Sequence, residues 1–134
     1  MLCGPLLAGC GTATRVDFKP HSRPASPLEV GVLASPDSGL SLQRSRFRPG
    51  LVVFNITNQT AHAERYTLRA HGRRVAQTAF VAPGQAAQLK ALLSGSGETL
   101  SSFSHTSPRG ILATTADLTV SGRARGGDDQ LTQP

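Results

Sequence analysis

Aromatic residues are scarce in this chain: five phenylalanines, one tyrosine and no tryptophan among 134 residues. Its arginines are dispersed and no rings alternate with them, so the stacking platform needed for single-stranded nucleic acid is missing. Nucleic acid is therefore not an expected partner. No apolar stretch reaches the ~18 residues of a membrane-spanning helix. Catalytic signatures are missing as well. There is no G-x-S-x-G elbow and no glycine-rich phosphate loop leading into a helix. Glu98 and Asp117 stand alone rather than as a carboxylate pair. The expectation is a protein that is not an enzyme. Two N-x-T sequons, at Asn55 and Asn58, fall at the end of a predicted strand and are read as chance.

What the chain does have is punctuation and positive charge. Fourteen glycines and nine prolines interrupt it often, which favours many short strands over long helices. Twelve arginines and two lysines against eight acids give a net charge of +6, suited to an acidic partner or an anionic surface. Strands are predicted over 28–33, 40–47, 51–57, 64–71, 74–81, 85–93, 98–103 and 110–120. The stretch 51–57 is apolar on both faces and belongs in the middle of a sheet. The stretch 64–71 alternates, with Tyr66, Leu68 and Ala70 on one face and Arg65, Thr67, Arg69 and His71 on the other. The stretch 85–93 carries helix-permissive residues, but its period-two set of Ala87, Leu89 and Ala91 favours a strand. Eight short strands about ten residues apart, with no helical crossover, describe an all-β, antiparallel Greek-key β-sandwich.

The first ten residues, MLCGPLLAGC, end in Leu-Ala-Gly-Cys. That run resembles a bacterial lipobox, in which small residues thread through a signal peptidase and the cysteine thiol takes the lipid. Cys10 is the expected lipidation site, residues 1–10 are the signal, and its basic start is expected upstream of Met1. Loss of residues before Cys10 discards Cys3 and leaves no cysteine pair for a disulfide. Residues 11–27 contain Pro20, Pro24 and Pro27 among small polar and basic residues, the composition of an extended tether. The folded unit is expected over 28–122 and a disordered tail over 123–134. The expected location is the bacterial cell envelope, lipid-anchored to a membrane and facing the periplasm or exterior.

Val-Val-Phe-Asn-Ile-Thr-Asn after a Pro-Gly turn, then Ala-His-Ala-Glu, Val-Ala-Pro-Gly-Gln and a closing Leu-Thr-Val-Ser-Gly, resemble the cupredoxin superfamily. The likeness is to the cupredoxin-like domains of bacterial periplasmic lipoproteins, including the small domain of iron-uptake lipoproteins, and spans 28–122. It implies a sandwich with metal ligands at one end. His62 matches the first copper histidine and His105 the second. Serines stand where the copper cysteine belongs, and Ile111 follows Gly110 where methionine is expected. A serine hydroxyl is neither soft nor ionised near neutral pH, so blue-copper electron transfer is not expected. Glu64 matches an acidic position of the iron-uptake relatives, whereas Ser38 and Gly39 occupy their cysteine region.

Two sets of candidate residues follow. The resemblance suggests that His62, Glu64 and His105 form a two-histidine, one-carboxylate set able to take copper or iron. The alternation of 64–71 suggests an outward basic ladder of Arg65, Arg69, His71 and Arg73, a docking face for an envelope protein or for the bilayer. The primary expectation is a membrane-tethered, non-enzymatic interaction module with no cofactor. The alternative is a metal-binding or metal-delivery lipoprotein.

Overall fold

The structure, a computed structural model, describes residues 24–95, 97–104 and 114–125. Cys3, Cys10, His21 and His105 lie outside these residues, as do the proposed signal and most of the tether. Nine strands and no helix occur among the described residues: β1 (Leu28–Ser35), β2 (Gly39–Leu42), β3 (Arg46–Phe47), β4 (Gly50–Asn58), β5 (Glu64–Ala70), β6 (Arg73–Gln77), β7 (Ala86–Leu93), β8 (Glu98–Ser104) and β9 (Thr115–Val120).

The strands form two sheets, ordered β2-β1-β4-β7 and β3-β9-β8-β5-β6, in a sandwich-like arrangement. Alternation decides which residues enter the core. Val30, Val32 and Ala34 of β1, Val52, Phe54 and Ile56 of β4, and Leu89, Ala91 and Leu93 of β7 line the inner face of the first sheet. Tyr66, Leu68, Leu100, Leu118 and Val120 face them from the second. Burying each large apolar side chain contributes about 1.5–3 kcal/mol. Phe47 of the second sheet meets Phe54 of the first edge-on, with ring centroids 6.0 Å apart, and so joins the two layers.

Two expectations change. The sheets are mixed rather than antiparallel throughout, because β1 runs parallel to β4 and β3 parallel to β9. A parallel pair needs a crossover. Here β2 and then β3, in the opposite sheet, supply it between β1 and β4. That detour also divides the stretch 40–47 in two. Leu40 and Phe47 are both buried, but in different sheets, with exposed Gln43–Ser45 carrying the chain across.

The strand at 85–93 is confirmed as β7 (Ala86–Leu93). It pairs with β4, whereas β8 pairs with β5 and β9. The last predicted strand begins at Thr115 among the described residues, and its predicted start at 110–113 lies outside them. Chain reversal at the β5–β6 hairpin uses two residues with positive φ, His71 (49°) and Gly72 (75°). Positive φ at both central positions matches the right-handed twist of the flanking strands. His71 thus occupies a turn, and the alternation of β5 stops at Ala70.

Beyond β9 the chain stays attached. The Arg125 N–H donates to the Pro49 carbonyl (3.1 Å), its Nη2 donates to the Leu51 carbonyl, and Arg48 Nε donates to the Arg123 carbonyl (3.0 Å). The tail expected from residue 123 is therefore docked at least through Arg125.

Candidate functional site

The outer face of the five-stranded sheet carries a concave groove. Registry builds it in rows. Thr115, Ser101, Thr67 and Gln77 stand side by side across β9, β8, β5 and β6. Gln77 Nε2 donates to Thr67 Oγ1 (2.9 Å), and Ser101 Oγ donates to the Thr67 carbonyl (3.3 Å). Arg65 lies on one side of this row and Arg69 on the other, separated by four residues or about 13 Å of strand. The resulting groove has a volume of about 480 Å³.

The two arginines are held differently. The Arg65 guanidinium lies over the Phe80 ring, 4.2 Å from its centroid, and Phe80 is 6.3 Å from Phe103, the cross-strand neighbour of Arg65. No hydrogen bond or ion pair engages that guanidinium among the described residues, and its Nε is buried without a partner. Arg69 is exposed and donates through Nη1 to the Gly72 carbonyl (3.2 Å). Asp117 is the acid on this face, in the row of Thr99 and Arg69.

The expected ladder thus divides. Arg65 and Arg69 share the groove, whereas His71 and Arg73 belong to the hairpin beyond it. The positive-φ turn carries His71 toward the β7–β8 connection, where its N–H donates to the Gly97 carbonyl (3.3 Å). Arg73 is exposed at the start of β6. Thr67, expected on the same outward face, is buried beneath Gln77 and Ser101. The hydroxyl row and the phenylalanine shelf under Arg65 escaped the sequence reading. Alternation assigns their faces, but only registry brings four strands together.

Of the expected metal residues, His62 and Glu64 fall among the described residues and His105 does not. His62 is exposed in the β4–β5 loop, where its carbonyl accepts hydrogen bonds from Asn58 Nδ2 (2.8 Å) and Thr60 Oγ1 (3.0 Å). Asn58 is fully buried and clamps this loop: Nδ2 also donates to the Val81 carbonyl (2.8 Å), and Oδ1 accepts from the Thr60 N–H (2.9 Å) and Oγ1 (2.7 Å). Glu64 is half-buried, and its Oε2 accepts from the Tyr66 hydroxyl (3.1 Å). Burial first, then the Glu64 charge and this hydrogen bond, push the Tyr66 hydroxyl well above its ordinary pKa. Among the described residues no three His, Cys, Asp or Glu side chains gather as a metal-ligand group.

Glu98 is buried but braces a loop, its Oε1 accepting from the N–H groups of Ser94 (3.0 Å) and Gly95 (3.5 Å). No protein-family model matches the chain, and no curated protein sequence matches it.

Proposed function

We propose that this chain is a non-enzymatic interaction module of the bacterial cell envelope, and that it captures an acidic protein partner in the Arg65–Arg69 groove. In this reading Cys10 carries the lipid anchor, residues 11–27 are the tether, and the folded unit is a Greek-key sandwich of cupredoxin-like type that has lost the copper cysteine and methionine. The exchange of successive strands between two sheets suits that assignment. One observation carries the binding reading: the Arg65 guanidinium sits over Phe80, in a groove, with no hydrogen-bond or ionic partner among the described residues. The phenylalanine fixes the cation in place, so a carboxylate meets a charge already oriented for paired N–H···O contacts.

The alternative is a copper or iron site on His62, Glu64 and His105, in which Glu64 would offer Oε1 to the metal while Oε2 keeps the Tyr66 hydroxyl. The test is photo-crosslinking in the envelope from a probe at Thr99, read with the arginines reversed (R65E/R69E) and with the histidines removed (H62A/H105A). Capture lost in the first variant and kept in the second supports the groove. The opposite pattern transfers the function to the histidines.

A further inference from the structure

The two ends of the sandwich differ sharply in charge. β4 begins at Gly50, and β1 runs parallel to it from Leu28, so residues 24–27 lead into the fold at the Gly50 end. β2 is antiparallel to β1 and delivers the following segment, with Arg44, to that same end. Arg46 pairs with Thr119 near the close of β9, and Arg48 precedes the start of β4. Arg123 and Arg125 return there after β9, held by Arg48, Pro49 and Leu51.

Five arginines therefore meet where the chain enters the domain. Acids at this end, among the described residues, are Glu29 on the outer face of the four-stranded sheet, Asp117 on the outer face of the five-stranded sheet, and buried Glu98, already committed to backbone amides. Arg44 and Arg46 are exposed, and no hydrogen bond or ion pair engages either among the described residues. Crowding is felt within the cluster. Burial and then the Arg44 and Arg48 charges lower the pKa of the Arg125 guanidinium, whose Nε is buried without a partner among the described residues. Like charges packed together in this way are relieved by an anion.

We propose that this end of the sandwich docks on the anionic head groups of a lipid bilayer. The site is separate from the Arg65–Arg69 groove, and its biological setting rests on the lipid-anchor reading above. Exposed guanidinium groups suit phosphate, which they can meet through paired donors. The position suits a bilayer because a chain anchored upstream of residue 24 reaches the domain at this end. Docking here would hold the groove away from the membrane and open to its partner.

The test uses the full chain with Cys10→Ser, so that no acyl chain contributes. Its partitioning is measured by co-sedimentation with phosphatidylcholine vesicles, alone or with about one-third phosphatidylglycerol. Each arginine near an anionic surface raises partitioning about five-fold, so R44Q/R46Q should lose about 25-fold on the anionic vesicles. Binding should also fall steeply between about 0.1 M and about 0.5 M salt. R65Q/R69Q should change it less than two-fold. Equal loss in both double variants would mean diffuse charge alone and would overturn the proposal, as would equal binding to neutral and anionic vesicles. Asp128 and Asp129 follow the cluster in sequence. If the arginines belonged instead to the chain's own acidic segment, R44Q/R46Q would stay within two-fold of the parent on the anionic vesicles and the lipid assignment would fall. Acylation is read separately, from the intact mass of the chain made in an envelope-targeting host, so its failure cannot be confused with failure of head-group docking.

Discussion

Asn58 offers the sharpest test of how this fold is held. It is fully buried at the end of the central strand, and its side chain makes four hydrogen bonds. Its backbone adds two more, donating to the Gln85 carbonyl (2.9 Å) and accepting from the Gly84 N–H (2.7 Å). Asn58→Ala removes only the side-chain four. Thr60 and the His62 carbonyl border solvent and regain water, so those losses are modest. The Val81 carbonyl keeps the Glu64 N–H (3.0 Å) but forfeits its second donor in a buried setting. Taking about 0.5 kcal/mol for each of the three bonds to Thr60 and the His62 carbonyl, about 1 kcal/mol for the buried bond to Val81, and about 0.5 kcal/mol for the partly collapsed space left behind, the expected cost is about 3 kcal/mol.

Asn58→Asp should cost more, although it is nearly the same shape. The acceptor facing Thr60 survives, but the Nδ2 donor becomes an oxygen aimed at two carbonyls inside the protein. Urea unfolding of the full chain measures both variants, and an unchanged m-value would show that the unfolded states match. At about 4–8 °C per kcal/mol the alanine variant should melt roughly 12–24 °C below the parent. A loss under about 1 kcal/mol for alanine, or an aspartate variant as stable as the parent, would refute the clamp.

Other consequences are as direct. Tyr66→Phe should cost about 1 kcal/mol at neutral pH, the net value of its bond to Glu64. The folded-state pKa of Tyr66 is raised, so its contribution is fully present below the unfolded value of 10.0 and is lost as pH climbs above it. Stability should fall by about 1.4 kcal/mol per pH unit above pH ~10, and Tyr66→Phe should remove that share of the slope in alkaline urea titrations. Gly39 and Gly72 both have positive φ (66° and 75°), but a Cβ at Gly39 would collide with the Thr114 side chain while one at Gly72 meets open space. Gly72→Ala should cost about 1 kcal/mol and Gly39→Ala at least ~2 kcal/mol. Thr114→Ala should recover part of the second loss and none of the first in a double-mutant cycle.

Particular residues show why some of this architecture is legible in the sequence. The stretch 51–57 places β4 at the centre of a sheet because Leu51 and Val53 add apolar surface opposite Val52, Phe54 and Ile56, and it is indeed flanked by β1 and β7. Ala87, Leu89 and Ala91 place β7 on the same ground: a period of two survives even in helix-permissive residues. Leu40 and Phe47 show where such reasoning stops. Both obey alternation, yet they enter the core from opposite sheets. Nothing local in Gln43-Arg44-Ser45 announces the crossing, because strand partnership is fixed by contacts far away in the chain. The parallel pairing of β1 with β4 was hidden for the same reason.

The same distinction separates the two basic surfaces. Arg65 and Arg69 share a face by local alternation, so a sequence reading finds them together. The row of Thr115, Ser101, Thr67 and Gln77 between them spans 49 positions and exists only through registry. The arginine end lies further still from local reading. Arg44 and Arg125 are 81 positions apart, and they meet because β3 pairs parallel to β9 and returns the chain after Val120 to the foot of β4. A net charge of +6 does not say whether it is spread evenly, and an even spread would favour no orientation on a surface. Here topology gathers five arginines at the end where the chain enters and leaves Asp37 and the Glu64–Tyr66 pair toward the other. A gradient of that kind exerts a torque near an anionic plane, and within about a Debye length it would select one orientation before any specific contact forms. The groove, on the side of the sandwich rather than at its basic end, would then remain accessible in the selected orientation, so the two surfaces can work together without either being part of the other.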